Sequence, residues 1–496
     1  MTIKRNIASL LATMATALPA LMSCSESYPG LNYEQQINIG NNEAENPTPV
    51  QVFLEEQRFF EVNPIGGGTT KGIGALENEE DADGNLRPVE HEQLFTFRVF
   101  SFLNDGDFGA ADLRYSFFSP QGTGGRDARH RHCLIDGYDY DGQGLPAKLN
   151  VDRSKELVFQ YDDDRCDGEP NRIYYSSATD EELRRGYNFF VYHTDDSEVK
   201  ASKRESDRIS HDIEIDGTQD IMYGASPVLN DAYLDSHFAD TKRTLTQEEL
   251  TMIRNIRGFS SYTAHRGIYP IVQLEHQLAR LKFFIYPGRN SNEDNCAGVF
   301  IDRITLEVPY QGEFTVAGRQ PGDIGIAWKD NSTPGSDGET AYSDRRELRL
   351  YRADNGSSDG LTEGEAADRS LLKVWDEANG GWTGAGWEDW DDSWTNLNWK
   401  DRPYMEVGQG MLIPPVSDCV MRIYYHCTKG QFATDNPEEA ASMMMRYNLP
   451  PSDINTTFEK GKVYNINIAI YGPQTIKVNA NINNWQFGGD INVGEE

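Results

Sequence analysis

Cys24 carries the first chemistry legible in the chain. It closes the tetrad Leu21, Met22, Ser23, Cys24, a lipobox that follows Lys4, Arg5 and an apolar run. The stretch from Ile7 to Leu21 matches a signal-peptide apolar region and falls short of the ~20 residues that a membrane-spanning helix needs. Cleavage after the small Ser23 leaves an acylated Cys24 at the head of the mature chain. Residues 1–23 are therefore expected to be removed, and the body to be tethered outside the cytoplasm by its lipid.

Other residue groups carry weaker chemical signals. Six of the 8 tryptophans, Trp375, Trp382, Trp387, Trp390, Trp394 and Trp399, crowd together among Gly, Asp and Asn. Two readings stand: a flat aromatic platform for a glycan or a partner's surface, with Trp387, Trp390, Trp394 and Trp399 as candidate ligand-binding residues; or indoles folded inward as a small core for a long loop, the preferred reading. Arg129, His130, Arg131, His132 and Cys133 offer imidazole and thiol ligands, but the flanking guanidinium charges oppose a cation, and a solvated loop is expected. Asp139, Asp141, Gln143 and Gly144 open like a calcium loop, as does the acidic run from Asp162 to Glu169. Their twelfth positions are Asn150 and Ile173, where an acid is required. No metal or cofactor site is assigned. No nucleophile, base and orienting partner share a motif, and no phosphate loop, nucleophile elbow or zinc-protease helix occurs. The chain is not expected to be an enzyme.

A formal charge of −33 over 496 residues, with 46 basic against 79 acidic side chains, excludes nucleic acid as a natural partner, because such a surface repels phosphates. The length suits two domains. Beyond Cys24, the cysteines 133, 166, 296, 419 and 427 are odd in number and unpaired in spacing. Cys419 and Cys427 flank a strand-like run that holds them roughly 26 Å apart at about 3.3 Å per residue, so they are expected to stay unbridged.

The elements that position these groups read mostly as strands, with abundant Tyr, Phe, Ile and Val in short alternating runs. Residues 24–49 lack apolar periodicity and read as a flexible stalk. A first strand follows at 50–54, and further strands at 94–103, 113–118, 156–161, 187–193, 271–274, 281–286, 299–308, 410–413 and 419–426. Between 226 and 262 the texture turns helical: Thr246 with Glu249 forms a capping box, and Leu245, Leu250, Ile253 and Ile256 recur at helical spacing. Thr179 with Glu182 repeats the capping pattern. Residues 320–405 form a long polar insertion whose first half reads as surface loop. The clearest signal is the last hairpin, where Tyr464, Ile466, Ile468 and Ile470, then Ile476, Val478, Ala480 and Ile482, alternate with polar residues on either side of Gly472 and Pro473. It describes an antiparallel sandwich edge.

Several separate stretches give the chain a family likeness: the lipobox; Lys71, Gly72, Ile73, Gly74; Asp220, Ile221, Met222, Tyr223; Leu274, Glu275, His276 leading into 278–285; and Gly461, Lys462, Val463, Tyr464 through Ile476 to Trp485. With these the chain resembles the fimbrillins, subunits of type V pili made as surface lipoproteins by Bacteroidetes-type bacteria. The resemblance covers both halves and leaves the Trp-rich insertion without a counterpart. It implies an all-β fold of two tandem antiparallel β-sandwich domains, transthyretin-like and of Greek-key type, with long loop insertions, spanning 50–225 and 263–496 around the 226–262 linker. It further implies export as an outer-membrane lipoprotein precursor, then a place in a cell-surface fimbrium, with other pilus subunits as partners through strand addition. In that scheme an arginine- or lysine-specific protease removes the first strand, and Arg58 and Lys71 are the cleavage candidates. A structural or adhesive subunit, accessory or at the tip, with a glycan or host-protein ligand is the reading this favours; the alternative is a monomeric surface lipoprotein binding glycans through the Trp-rich loop. Apart from its place in that pattern, His276 reads as a packed or strand-end histidine.

Overall fold

The computed structural model describes residues 48–55, 96–104, 142–149, 156–160, 173–175, 184–195, 198–288, 298–319, 324–334, 344–350, 391–398, 401–429, 443–449 and 457–472, with short stretches between them and the backbone of 475–484. In chain order the strands of the first half are β1 (Phe53–Leu54), β2 (Phe97–Leu103), β3 (Cys133–Ile135), β4 (Leu145–Leu149), β5 (Leu157–Phe159), β6 (Tyr187–His193), β7 (Glu198–Arg204), β8 (Arg208–Glu214) and β9 (Met222–Ala225). Helices α1 (Asp231–His237), α2 (Ala239–Thr244), α3 (Gln247–Ile256) and α4 (Ser261–Ala264) follow. The second half contributes β10 (Ile271–Val272), β11 (Glu275–His276), β12 (Ala279–Pro287), β13 (Val299–Pro309), β14 (Gln311–Gly318), β15 (Gly325–Trp328), β16 (Arg345–Arg349), β17 (Ala385–Gly386), β18 (Met405–Ile413), β19 (Cys419–Cys427), β20 (Met444–Leu449), β21 (Lys462–Gly472) and β22 (Thr475–Asn484).

The fold is all-β, built from open sheets stacked in layers. A seven-stranded sheet runs β11-β9-β6-β2-β4-β5, with β3 also on β2, and faces a four-stranded sheet ordered β15-β14-β8-β7. Tyr192 meets Phe314 edge to face across this layer at 5.6 Å between ring centroids, and Tyr223 meets the same ring at 6.3 Å. A second pair of sheets, β18-β12-β21-β22 and β16-β13-β19-β20, encloses the remainder of the same buried cluster. The alternation that marked the last hairpin has its physical cause here: Tyr464, Ile466, Ile468 and Ile470 are buried against Leu281, Phe283 and Ile285 of β12. β22 is the edge of its sheet, paired antiparallel with β21 as expected, whereas β12 and β21 run parallel.

Two expectations are corrected. The first half of the 320–405 insertion is not loop alone: Gly325–Trp328 extends the first sandwich by pairing with β14, and Arg345–Arg349 pairs with β13 in the second. Leu348 and Leu350 are buried there, while the charges that made the segment read as solvated are ion-paired, Arg345 with Asp330 at 2.8 Å. The stretch 226–262 does more than connect. Its helix α3 starts with the expected Thr246–Glu249 capping box, and Leu250 and Ile253 pack, with Tyr233 and Leu234 of α1, on the outer face of the seven-stranded sheet. Cys419 and Cys427 are free, buried thiols. Among the described residues no helix is long and apolar enough to cross a membrane.

Candidate functional site: the groove that holds the first strand

Residues 48–55 alternate without a break between buried and half-exposed, with Thr48, Val50, Val52 and Leu54 inward and Pro49, Gln51, Phe53 and Glu55 outward. This period of 2 is that of an extended strand with one face in a core. Its inner side chains join Phe97, Val99, Phe189 and Val191, which form the outer face of the seven-stranded sheet, and the helices above it. The first strand is thus a lid on that face.

The backbone is held on both sides. On one side Val50 N–H donates to Ile173 O at 2.7 Å, Tyr175 N–H to Thr48 O at 2.9 Å and Leu157 N–H to Val52 O at 2.8 Å. On the other, Phe53 N–H donates to Pro270 O at 3.0 Å and Glu55 N–H to Val272 O at 2.9 Å, and β1 runs parallel to β10. Withdrawing the segment strips these donors and acceptors of partners and opens an apolar trough. Side chains mark its ends and rim. Thr48 Oγ1 lies 2.9 Å from Ser261 Oγ, Gln51 Nε2 donates to Glu156 Oε1 at 3.0 Å, and Phe53 sits 5.8 Å from the Tyr269 ring.

The wall at 269–272 is itself fixed from behind. Tyr233 of α1 donates its hydroxyl to Tyr269 O and accepts from Ile271 N–H, both at 2.9 Å, so one side chain satisfies two backbone groups of a strand too short to do so by pairing. Gly224 in β9 lets this wall pass close by, since a Cβ there would collide with the Gln273 carbonyl oxygen and Val272 Cγ1.

Several stretches singled out in the sequence converge beside this region. Met222 pairs with His276 and Tyr223 with Glu275 where β9 meets β11, and His276 Nδ1 lies 2.9 Å from the buried Asp220 carboxylate. Gly461 N–H donates to Leu278 O at 2.8 Å, and Lys460 reaches Glu275 at 3.5 Å. The motifs at 220–223, 274–285 and 461–464 are therefore one structural junction, and His276 is a packed strand-end histidine within it.

Thr48 and Pro49 correct the stalk boundary: both belong to the bound strand. Cys24, Arg58, Lys71, Trp390 and Trp399 lie outside the described residues, as do residues 71–74, the capping pair at 179 and 182, and most of the His-rich and acidic loops. Trp387 and Trp394 are placed together, with ring centroids 6.1 Å apart, and Trp387 packs against the main core while its carbonyl accepts from Gly298 N–H. Among the described residues no cluster of three His, Cys, Asp or Glu is arranged to hold a metal ion. Sequence reasoning missed Tyr233, Ser261, His265 and the 173–175 wall, and it read strands at 156–161 and 271–274 without placing either beside the first strand. The backward extension of the alternation to Thr48 was also there to be read.

No family model matches the chain, and no curated protein does. Among solved structures it is similar to a fimbrial protein from Bacteroides vulgatus, at 11% identity over 79% of this chain and 93% of that one, with a TM-score of 0.36. It is similar also to the fimbrial anchor protein Mfa2 from Porphyromonas gingivalis, at 10% identity over 88% and 98% of the two chains, with a TM-score of 0.26.

Proposed function

We propose that this protein is a fimbrillin-like structural and adhesive pilus subunit, exported as a lipoprotein precursor through Cys24 and assembled by protease-triggered strand exchange. The observation that carries the reading is the first strand, a short segment near the head of the chain that fills a groove with backbone bonds on both sides. Such a groove binds any extended segment of suitable alternation by strand addition, main-chain bonds supplying affinity and alternate side chains specificity. Val50, Val52 and Leu54 contribute about 1.5–3 kcal/mol each on burial, so an empty groove is strongly driven to refill. Arg58 follows shortly after the strand, and cleavage there would release lipid, stalk and strand together. Cys24 then serves as a transport tether that holds an unfinished subunit at the outer membrane. The partners are other pilus subunits.

Trimming the purified precursor with an arginine-specific protease tests this directly. The expected products are ordered polymers, or uptake of a partner's strand, visible by electron microscopy and by mass. A trimmed monomer that only degrades would remove the mechanism.

A further inference from the structure

The inward face of the first strand is apolar except at one end. Thr48 is 7% exposed, and its hydroxyl sits 2.9 Å from Ser261 Oγ and 2.9 and 3.0 Å from the two ring nitrogens of His265. Ser261, 1% exposed, stands in a helix whose cap is also buried, with Ser260 and Thr263 satisfying each other reciprocally. His265 Nδ1 lies 2.8 Å from Ser261 O. Thr48 Oγ1 is thus within hydrogen-bond reach of both the Ser261 hydroxyl and the His265 ring, and the three side chains form one contact group.

Apolar alternation alone cannot fix where a strand stops in such a trough. A slip of one residue turns Gln51 and Phe53 inward and is excluded by burial. A slip of two residues places Val50 in the Thr48 position, Val52 in that of Val50 and Leu54 in that of Val52, and brings Glu56 to the buried Leu54 position, so the slip is registered at both ends of the strand. At the Thr48 end the floor is Ser261 and His265, where an apolar group would take a partner from the buried Ser261 hydroxyl and from the half-exposed His265 ring. Reversal of the strand moves the hydroxyl to the opposite end and incurs the same loss.

We infer that Ser261 and His265 form a hydroxyl-reading subsite that, together with the apolar Leu54 site at the far end, sets the register and direction of the strand in this groove, so that it accepts an extended segment of pattern Ser or Thr, then three apolar residues at alternate positions. Extended to an incoming strand, this rests on the exchange reading given above. It identifies the partner's chemistry: a segment running parallel to β10, with a hydroxyl two residues ahead of its first inward apolar side chain.

Hydrogen exchange on the full-length protein tests the subsite without any partner. Thr48→Val is expected to speed exchange at the Val50, Leu157 and Tyr175 amides about tenfold relative to amides of β21, as loss of a partner for buried polar groups does. Thr48→Ser should exchange as the natural protein does, and Thr48→Val combined with Ser261→Ala should recover part of the protection. Thr48→Val exchanging at the natural rate would overturn the inference. In a second arm, chain trimmed after Arg58 is offered synthetic peptides spanning 46–56, with Thr48 or with Thr48→Val. A preference of about tenfold for the hydroxyl extends the subsite to incoming strands, and equal binding overturns that extension. If the full-length variants respond but neither peptide binds, the subsite stands for the chain's own strand and the exchange reading falls.

Discussion

Asp302 and His211 are buried titratable groups with opposite effects. Asp302 occupies an irregularity in β13, where the register with β19 shifts, and turns inward to within 2.7 Å of His426 Nδ1. Burial, only partly offset by His426, pushes its carboxyl up to about 6. His211 is held down to about 4, first by burial and then by the Arg204 charge, and its Nε2 lies 3.0 Å from the Tyr192 hydroxyl. Between pH 4 and 6 the folded chain keeps a proton on Asp302 that the unfolded chain has released. That contribution is full below the unfolded value of about 3.9 and is lost as pH rises through about 6. His211 is neutral in the fold where the unfolded chain is charged. Its contribution is full above about 6.5 and is lost as pH falls through about 4. Each is on the order of 3 kcal/mol at 1.36 kcal/mol per pH unit, so the two slopes nearly cancel. Urea midpoints at pH 4, 5 and 6 check this: Asp302→Asn should make stability rise with pH, and His211→Gln should make it fall. Equal slopes in both variants would refute the pairing. The Cys419 and Cys427 thiols, both pushed up to about 12 chiefly by burial, should resist thiol reagents until the chain unfolds, as peptide mass mapping would show.

At the scale of elements, the groove depends on pieces that make no hydrogen bond to the bound strand but hold its wall in place. Tyr233→Phe removes the hydroxyl that satisfies Tyr269 O and Ile271 N–H, and should cost about 1–3 kcal/mol in urea unfolding while raising exchange along the 270–272 wall. Gly224→Ala drives a Cβ into the same wall from behind, against backbone, and should cost a similar amount. The first strand was legible because its alternation is local, and so were the last hairpin and the α3 cap. The groove was not, since its walls at 156–157, 173–175 and 270–272 are contributed from distant parts of the chain: the first and last read as strands whose neighbours the sequence does not give, and 173–175 is too short to show a period. β16 was hidden for another reason. Arg345, Arg346, Glu347 and Arg349 read as solvated surface, yet Arg422 binds Glu307 and Glu347 across the sheet, and the one apolar residue among them, Leu348, is buried.

Across the whole molecule the two sandwiches share one core. Phe100, Phe190 and Tyr192 of the first sheet belong to the same buried cluster as Ile466 and Ile468 of β21. The chain crosses between layers with only Tyr310 separating β13 from β14, and β14 then pairs with β8 along its length. Leu412 N–H donates to Gly217 O at 2.8 Å, and Arg346 reaches Glu214 at 2.9 Å. A continuous core predicts that β8, β14 and β21 lose protection together in urea, and separate transitions for the two sandwiches would contradict it. A body rigid in this sense allows one peripheral strand to be exchanged while the rest stays folded. The decisive measurement is hydrogen exchange at the Leu157 and Tyr175 amides before trimming after Arg58, after it, and in the assembled product. The account predicts protection, exposure, then protection again. Amides that stay protected in the trimmed monomer would show that the groove never opens, and strand exchange at this site would be excluded.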